Sequence, residues 1–216
     1  MLTTLIPWII VILLAMVFLS SLTEMLGKRR FARSAPNIRP ADLSELDVQP
    51  DAPTAQMINQ LKVLGFRRVG EAGFVEDRVV RFWYLVDAKG TTVAGVFNVA
   101  GKAHATIYSW FGDEACIVYS IPTEGLMVNE RNYLYRPLNT TPDVVYPQHL
   151  AAVQDFTMRF GSPRRLDSMP EILRLDAVYN QRFAQRKMAP DIRRAAIRAG
   201  AALVLAVILI AVLLIK

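Results

Sequence analysis

Cysteine and histidine are scarce in this chain, and their scarcity excludes two classes of protein. Of the 216 residues one is a cysteine, Cys116, and two are histidines, His104 and His149. A disulfide scaffold needs paired cysteines, and a structural zinc site needs four ligands. Three such residues without a ligand-spaced pair supply neither. We therefore expect no disulfide, no metal and no cofactor.

Catalytic motifs are missing as well. The glycines match no phosphate-binding spacing, and there is neither a G-x-S-x-G nor an S-x-x-K sequence. A hairpin that turns at 112–113 would set Cys116 opposite Ser109 and roughly 17 Å from His104, too far for a nucleophile–base pair. We expect no enzyme. One alternative stays open, an enzyme that acts on membrane lipids through Arg164, Arg165 and an acidic side chain.

Charge is absent from two long apolar runs, residues 5–22 and 199–215. At 1.5 Å per residue, a helix of this length spans roughly 26 Å, close to the thickness of the hydrocarbon core. The runs predict transmembrane helices at 5–22 and 195–215. No lysine or arginine precedes the first run and no small-residue cleavage sequence follows it, which favours a retained anchor over a signal peptide.

Basic side chains flank the apolar runs on the sides that face the middle of the chain. They are Lys28, Arg29, Arg30, Arg33, Arg193, Arg194 and Arg198. The positive-inside rule then predicts a two-pass protein with a cytoplasmic central domain and both termini outside. Arginine outnumbers lysine nineteen to six, which is typical of GC-rich bacteria, so we expect the bacterial plasma (inner) membrane.

The net charge of +6 comes from these ends, because acids and bases balance in the middle of the chain. A nucleic-acid-binding domain needs a basic face within its fold. We therefore expect membrane lipids, and not nucleic acid, as partners.

The middle of the chain has the pattern of an α+β domain. Residues 35–53 read as a Pro-rich acidic linker and 54–188 as the cytoplasmic domain. Thr54 and Gly65 are the expected ends of a first helix. About five strands, at 66–69, 79–86, 91–99, 103–111 and 115–121, predict an antiparallel meander. Two helices follow, one from Pro147 to Gly161 and one that begins at a Ser168–Glu171 capping box.

The predicted sheet is apolar on both faces. Strand parity groups Tyr108 and Trp110 with Ile117, Tyr119 and Ile121. Either the helices and the segment 122–147 cover the two faces, or another protein covers the aromatic one. The residues that could bind such a partner are Tyr108, Trp110, Tyr119, Met127, Tyr133 and Tyr135.

Together these patterns favour a non-catalytic integral membrane protein, an accessory, scaffold or assembly subunit of a larger complex. Neither apolar run contains an ionisable residue, which argues against an ion or proton pathway through this chain alone. The expected partners are lipids and other integral membrane subunits, or further copies of the chain. The alternative is a membrane-anchored sensor whose cytoplasmic domain binds a ligand or lipid.

Overall fold

A computed structural model describes residues 2–35, 40–46, 48–74 and 80–215. Two compact units make up the chain: residues 1–35 with 184–216 form one, and residues 36–183 form the other. The first consists of two long helices and the second is an α+β domain. The α+β class is therefore confirmed.

The helical unit consists of α1, Leu2–Ser34, and α5, Ala184–Ile215. Both helices are long and apolar enough to cross a membrane. They pack antiparallel, with the small side chains Ala195, Ala199 and Ala202 buried between them. Large apolar side chains cover much of the remaining surface of both helices.

Charged side chains join the two helices where their apolar runs end. Lys28 Nζ lies 2.8 Å from Glu24 Oε1 on the same helix and 3.3 Å from Asp191 Oδ2 on the other. A guanidinium nitrogen of Arg198 lies 2.5 Å from Glu24 Oε2. These pairs set the register of one helix against the other. Arg29, Arg30, Arg33, Arg193 and Arg194 are exposed.

The domain contains an eight-stranded sheet in the order β1-β2-β3-β4-β5-β6-β8-β7. Only the β6–β8 pair is parallel among the described strands, and the other pairs are antiparallel. The strands are β1 Ala41–Asp42, β2 Arg67–Phe74, β3 Val80–Val86, β4 Val93–Val99, β5 Lys102–Phe111, β6 Ala115–Ile121, β7 Val128–Glu130 and β8 Tyr133–Pro137.

Helices cover both faces of the sheet. On one face, α2 (Ala52–Val63) and α3 (Pro142–Phe160) bury a core that includes Leu61, Phe156 and Ile107. On the other, α4 (Met169–Arg182) buries a second core with Ile172 and Leu175. The sheet is apolar on both sides because it is the middle layer of three.

The expectation of about five strands is too low. Two of the extra strands, β7 and β8, lie in the long connection 122–147, and β1 lies in the stretch read as linker. All three are short, and β1 and β7 occupy the edges of the sheet. Short edge strands carry little periodicity, because they are held by backbone pairing to a neighbour rather than by an alternating apolar face.

The β5–β6 register differs by one residue from the expected one. Cys116 pairs with Trp110, not Ser109, because the turn spans 112–114 with Gly112 at a φ of +60°. A slip of one residue exchanges the faces of a strand. Tyr108 and Trp110 therefore share a face with Cys116 and Val118, while Ile117, Tyr119 and Ile121 lie on the opposite face.

Two helix starts also differ from the expectation. The cap of α2 is Asp51, whose Oδ1 accepts a hydrogen bond from the Thr54 amide at 3.0 Å. Helix α3 begins at Pro142, so Pro147 lies inside it. Ser168 does occupy the N-cap position of α4, but its side chain makes no capping bond and Glu171 binds Arg164 instead.

Candidate functional site

A carboxyl group and two tyrosines meet between α4 and the sheet. The hydroxyl of Tyr84, on β3, donates to Asp176 Oδ2 at 2.5 Å, and that of Tyr108, on β5, donates to Oδ1 at 3.0 Å. Strand β4 separates the two tyrosines, and Gly95 faces Tyr84 there. A Cβ at Gly95 would approach the Tyr84 ring to 3.3 Å, so the missing side chain leaves room for the ring.

Burial determines the electrostatics of this group. It raises the pKa of Asp176 to about 6, against the opposing effect of the two hydroxyls that donate to the carboxylate. Burial and the neighbouring carboxylate also raise the pKa values of Tyr84 and Tyr108 well above their ordinary value. The tyrosines are therefore neutral donors, and Asp176 is the group that titrates near neutral pH.

A cavity of about 50 Å³ opens beside Asp176. Its lining consists of Thr106, Tyr108, Trp110, Val118, Asp176 and Tyr179. The Tyr179 hydroxyl is fixed by a 2.9 Å hydrogen bond with that of Tyr133 on β8. Thr106, Asp176 and Tyr179 are partly exposed, so the cavity lies near the protein surface.

A second buried polar cluster lies on the opposite face, around His149 of α3. Its Nε2 lies 2.9 Å from Ser109 Oγ, which donates to the Thr91 carbonyl at 2.9 Å. Because the only hydroxyl proton of Ser109 points to that carbonyl, Nε2 is the donor to Ser109. The Nδ1 atom is then an acceptor, and it has no hydrogen-bond partner among the described residues.

This direction of hydrogen bonding is opposite to that of a catalytic serine–histidine pair, where the histidine must accept the serine proton. Ser109 and His149 are both fully buried, and burial lowers the pKa of His149 to about 3. The pair joins α3 to β5 as a neutral structural contact. The residues that the structure describes contain no group of three histidine, cysteine or acidic side chains that could hold a metal ion.

Five of the six candidate partner-binding residues are buried. Tyr108, Trp110, Tyr133 and Tyr135 lie in the core beneath α4, and Tyr119 lies in the other core. Met127 alone of the six is exposed, at 54% of its surface. It lines a surface groove of about 530 Å³ between α3 and strands β6 to β8. Arg136, Asp155 and Arg159 give this groove a charged rim.

Arg164 and Arg165 are engaged by acidic side chains. Arg164 contacts Asp113 Oδ1 at 2.9 Å and Glu171 Oε1 at 2.7 Å, and Arg165 contacts Asp167 at 3.0 Å. Arg174 also binds Asp113 through two nitrogens, and this contact, together with neighbouring arginine charge, lowers the pKa of the Asp113 carboxyl. Arg164 and Arg174 fasten the β5–β6 turn, through Asp113, to α4 and the segment before it.

Sequence reasoning missed Asp176, Tyr84 and the His149–Ser109 pair. The signal for Asp176 was present: it lies four residues after Ile172 and three before Tyr179, within the apolar stripe of α4. Nothing local pointed to Tyr84, which is 92 residues from its acceptor. No known protein family, curated protein or solved structure matches the chain significantly.

Proposed function

We propose that this protein is a non-catalytic, two-pass membrane protein that acts as an accessory or assembly subunit of a larger membrane complex. The observation that carries the proposal is the helical unit, in which two apolar helices pack through small residues and leave large apolar side chains exposed. Such a surface needs lipid or other apolar helices around it. In the serine–histidine pair the histidine donates to the serine, whereas catalysis needs it to accept the serine proton. This arrangement supports a non-catalytic function.

The positive-inside rule extends this proposal to topology. Arg29, Arg30 and Arg33 follow the first apolar run, and Arg193 and Arg194 precede the second. We infer that the α+β domain lies in the cytoplasm of a bacterium, with both termini outside. A cysteine replacing the exposed Lys89 should react with a membrane-impermeant maleimide only after permeabilisation. Labelling of intact cells would contradict this topology, and the buried Cys116 should stay unreactive.

The groove at Met127 is the surface of the domain that best suits a protein contact, because it combines exposed apolar side chains with a charged rim. We expect extraction in a mild detergent to yield a complex whose mass exceeds that of one chain with its bound lipid. Native gels and mass spectrometry measure this mass. Met127→Asp should weaken that complex. Val63→Asp, at another exposed apolar position, is the matched control and should leave it intact. A lone monomer from wild-type membranes would contradict the proposal.

A second candidate function is a membrane-anchored sensor, favoured by the cavity beside Asp176. Its polar group and aromatic walls are the parts of a small-molecule site. In native mass spectrometry of the full chain, a sensor should retain a small ligand that is lost on Asp176→Asn. If the wild-type chain, extracted from its native membranes, retains no small ligand, that result would argue against the sensor function. It would leave the proposed subunit function in place.

A further inference from the structure

Three arginine side chains of α1 form a basic cluster just beyond the first apolar run. The cluster consists of Arg29, Arg30 and Arg33, and all three are exposed. Lys28 and Arg198 are different, because acidic side chains of the helical unit already bind them. No carboxylate in the described part of the chain forms an ion pair with any arginine of the cluster. Its positive charge is therefore available to an anion from outside the chain.

The spacing of the basic cluster brings its side chains together. Arg33 follows Arg29 by four residues and Arg30 by three, and residues at these spacings are neighbours on the surface of a helix. Lys28 marks the side of α1 that faces α5, since its ammonium contacts Asp191 there. At about 100° per residue, the cluster lies about 100–200° around the helix axis from Lys28. The three arginines therefore converge on a face of α1 that α5 does not cover.

An exposed apolar stripe on the same side of α1 ends at the basic cluster. The stripe consists of Ile12, Leu19 and Leu26, which are each more than half exposed. Successive members are seven residues apart, a spacing that keeps side chains on one face to within about 20°. Leu26 lies four residues before Arg30, so it is a neighbour of the cluster. A surface cavity of about 540 Å³ opens at this junction, with Leu26 and the three arginines in its lining.

This order of side chains along one face matches the order of chemical groups in an anionic phospholipid. Acyl chains pack against apolar side chains, and the phosphate lies where the hydrocarbon ends and basic residues begin. Arginine suits a phosphodiester because its planar guanidinium can donate two parallel hydrogen bonds to the oxygens. A zwitterionic lipid also carries an ammonium group, which a cluster of three cations would repel. The face therefore favours a lipid whose net charge is negative.

We propose that the basic cluster binds the phosphodiester of an anionic phospholipid, whose acyl chains lie along the stripe of Ile12, Leu19 and Leu26. The proposal deepens the membrane function given above by naming the lipid class that the helical unit selects, and it rests on that function. Guanidinium groups donate to the phosphate oxygens. The exposed apolar side chains hold the lipid against α1, so the site recognises a lipid rather than a free phosphate ion.

The test is native mass spectrometry of the full chain in detergent, titrated with dioleoylphosphatidylglycerol or with dioleoylphosphatidylcholine. The two lipids share their acyl chains, so a difference between them reports on the headgroup. We expect the affinity for the anionic lipid to exceed that for the zwitterionic one by about tenfold or more. Arg29→Gln combined with Arg33→Gln should weaken binding of the anionic lipid about tenfold or more, since each arginine near such a lipid contributes about fivefold.

Two further variants separate the site from charge in general. Arg193→Gln combined with Arg194→Gln removes the same charge from α5, where side chains adjacent in sequence point about 100° apart and do not converge. Its affinity for the anionic lipid should stay within about twofold of the wild-type value. Arg29→Lys combined with Arg33→Lys keeps the charge on which membrane topology depends but loses the paired donors. It should weaken binding by less than the glutamine variant does.

Three results would overturn the assignment. They are equal affinity for the two lipids, a loss in Arg29→Gln with Arg33→Gln no greater than in the α5 variant, and displacement of the lipid by inorganic phosphate at the same concentration. The last would indicate a site for a free phosphate ion. Each of these results leaves the membrane function in place. That function fails separately if the full chain remains monodisperse in buffer without detergent or lipid.

Discussion

Two side chains of this domain have pKa values far from their ordinary ones: Asp176, which is largely buried, and His149, which is fully buried. The pH dependence of stability that each confers is opposite in sign. Burial disfavours the charged form of each, so it raises the pKa of the acid and lowers that of the base. At neutral pH the domain therefore contains one ionised carboxylate that lowers its stability and one neutral imidazole. The effect of each side chain on stability can be tested with a single substitution.

The carboxyl of Asp176 titrates near 6 in the folded domain against an ordinary value of 3.8. Between these values the native state binds more protons than the unfolded state, so this group stabilises the fold below about pH 4 and ceases to do so as pH rises through 6. The loss is up to about 3 kcal/mol. Urea unfolding of the full chain in detergent should show it as a pH-dependent gap between wild type and Asp176→Asn. A gap that is the same at pH 4 and pH 7 would contradict the burial of this carboxyl.

The imidazole of His149 has a folded pKa of about 3 against an ordinary 6.5. Below pH 6.5 the unfolded state takes up a proton that the native state refuses, so stability falls by up to about 5 kcal/mol on acidification toward pH 3. His149→Gln keeps a donor for Ser109 and should remove this part of the acid loss. His104→Gln, on a partly exposed strand position, should retain the wild-type profile. Equal acid loss in wild type and His149→Gln would refute the neutral buried imidazole.

At the scale of elements, the N-cap of helix α2 depends on a tertiary contact as well as on local sequence. Thr54 is the residue that its sequence context favours, but Asp51 reaches the free amide and also accepts a 2.7 Å hydrogen bond from the Asn98 side chain. One carboxylate thus caps the helix and ties it to the end of β4. Thr54 is instead buried, and its hydroxyl has no hydrogen-bond partner among the described residues.

The two candidate caps make opposite predictions. Asp51→Ala should lower the free energy of unfolding by about 1 kcal/mol, because it removes the hydrogen bond to the Thr54 amide. Thr54→Val should be neutral or stabilising, since it replaces an unsatisfied buried hydroxyl by a methyl group of the same size. Chemical denaturation at pH 7 measures both. Destabilisation by Thr54→Val with no effect of Asp51→Ala would restore Thr54 as the cap.

For the whole molecule, the two long helices depend on each other. Each is apolar over much of its surface, and the polar contacts between them are concentrated where the apolar runs end. Ala195, Ala199 and Ala202 allow close approach, and close approach supplies the packing that apolar helices need in lipid. The ion pairs then select one register among the many that small residues permit.

A double-mutant cycle tests this register. Glu24→Gln and Arg198→Gln should each lower the free energy of unfolding of the chain in nanodiscs. The double variant should lose less of this free energy than the sum of the two single losses, by about 0.5–1 kcal/mol. In a control cycle, Arg194→Gln takes the part of Arg198→Gln. Because Arg194 is exposed, this variant should show no such coupling to Glu24→Gln. Thermal unfolding followed by circular dichroism measures the cycle. Strict additivity of Glu24→Gln and Arg198→Gln would contradict the contact.

The sequence by itself determined the two apolar helices, the α+β class and most of the central strands. Hydropathy and side-chain period are local properties, so strand β6 was predicted at its observed bounds. It did not determine the short strands β1, β7 and β8, because backbone pairing to distant neighbours holds them. Only the tertiary structure decided the β5–β6 register, where one additional turn residue exchanged the faces.

The same distinction applies to the candidate sites. The basic residues beside the apolar runs could be read directly from the sequence, and the topology that they predict depends only on charge along the chain. The Asp176 site could not, since it joins residues from β3, β5 and α4 whose separation in sequence reaches 92 positions. The packing of α4 against the sheet, and not the residue types alone, gives this carboxyl its raised pKa and places Tyr108, Trp110 and Tyr179 around one cavity.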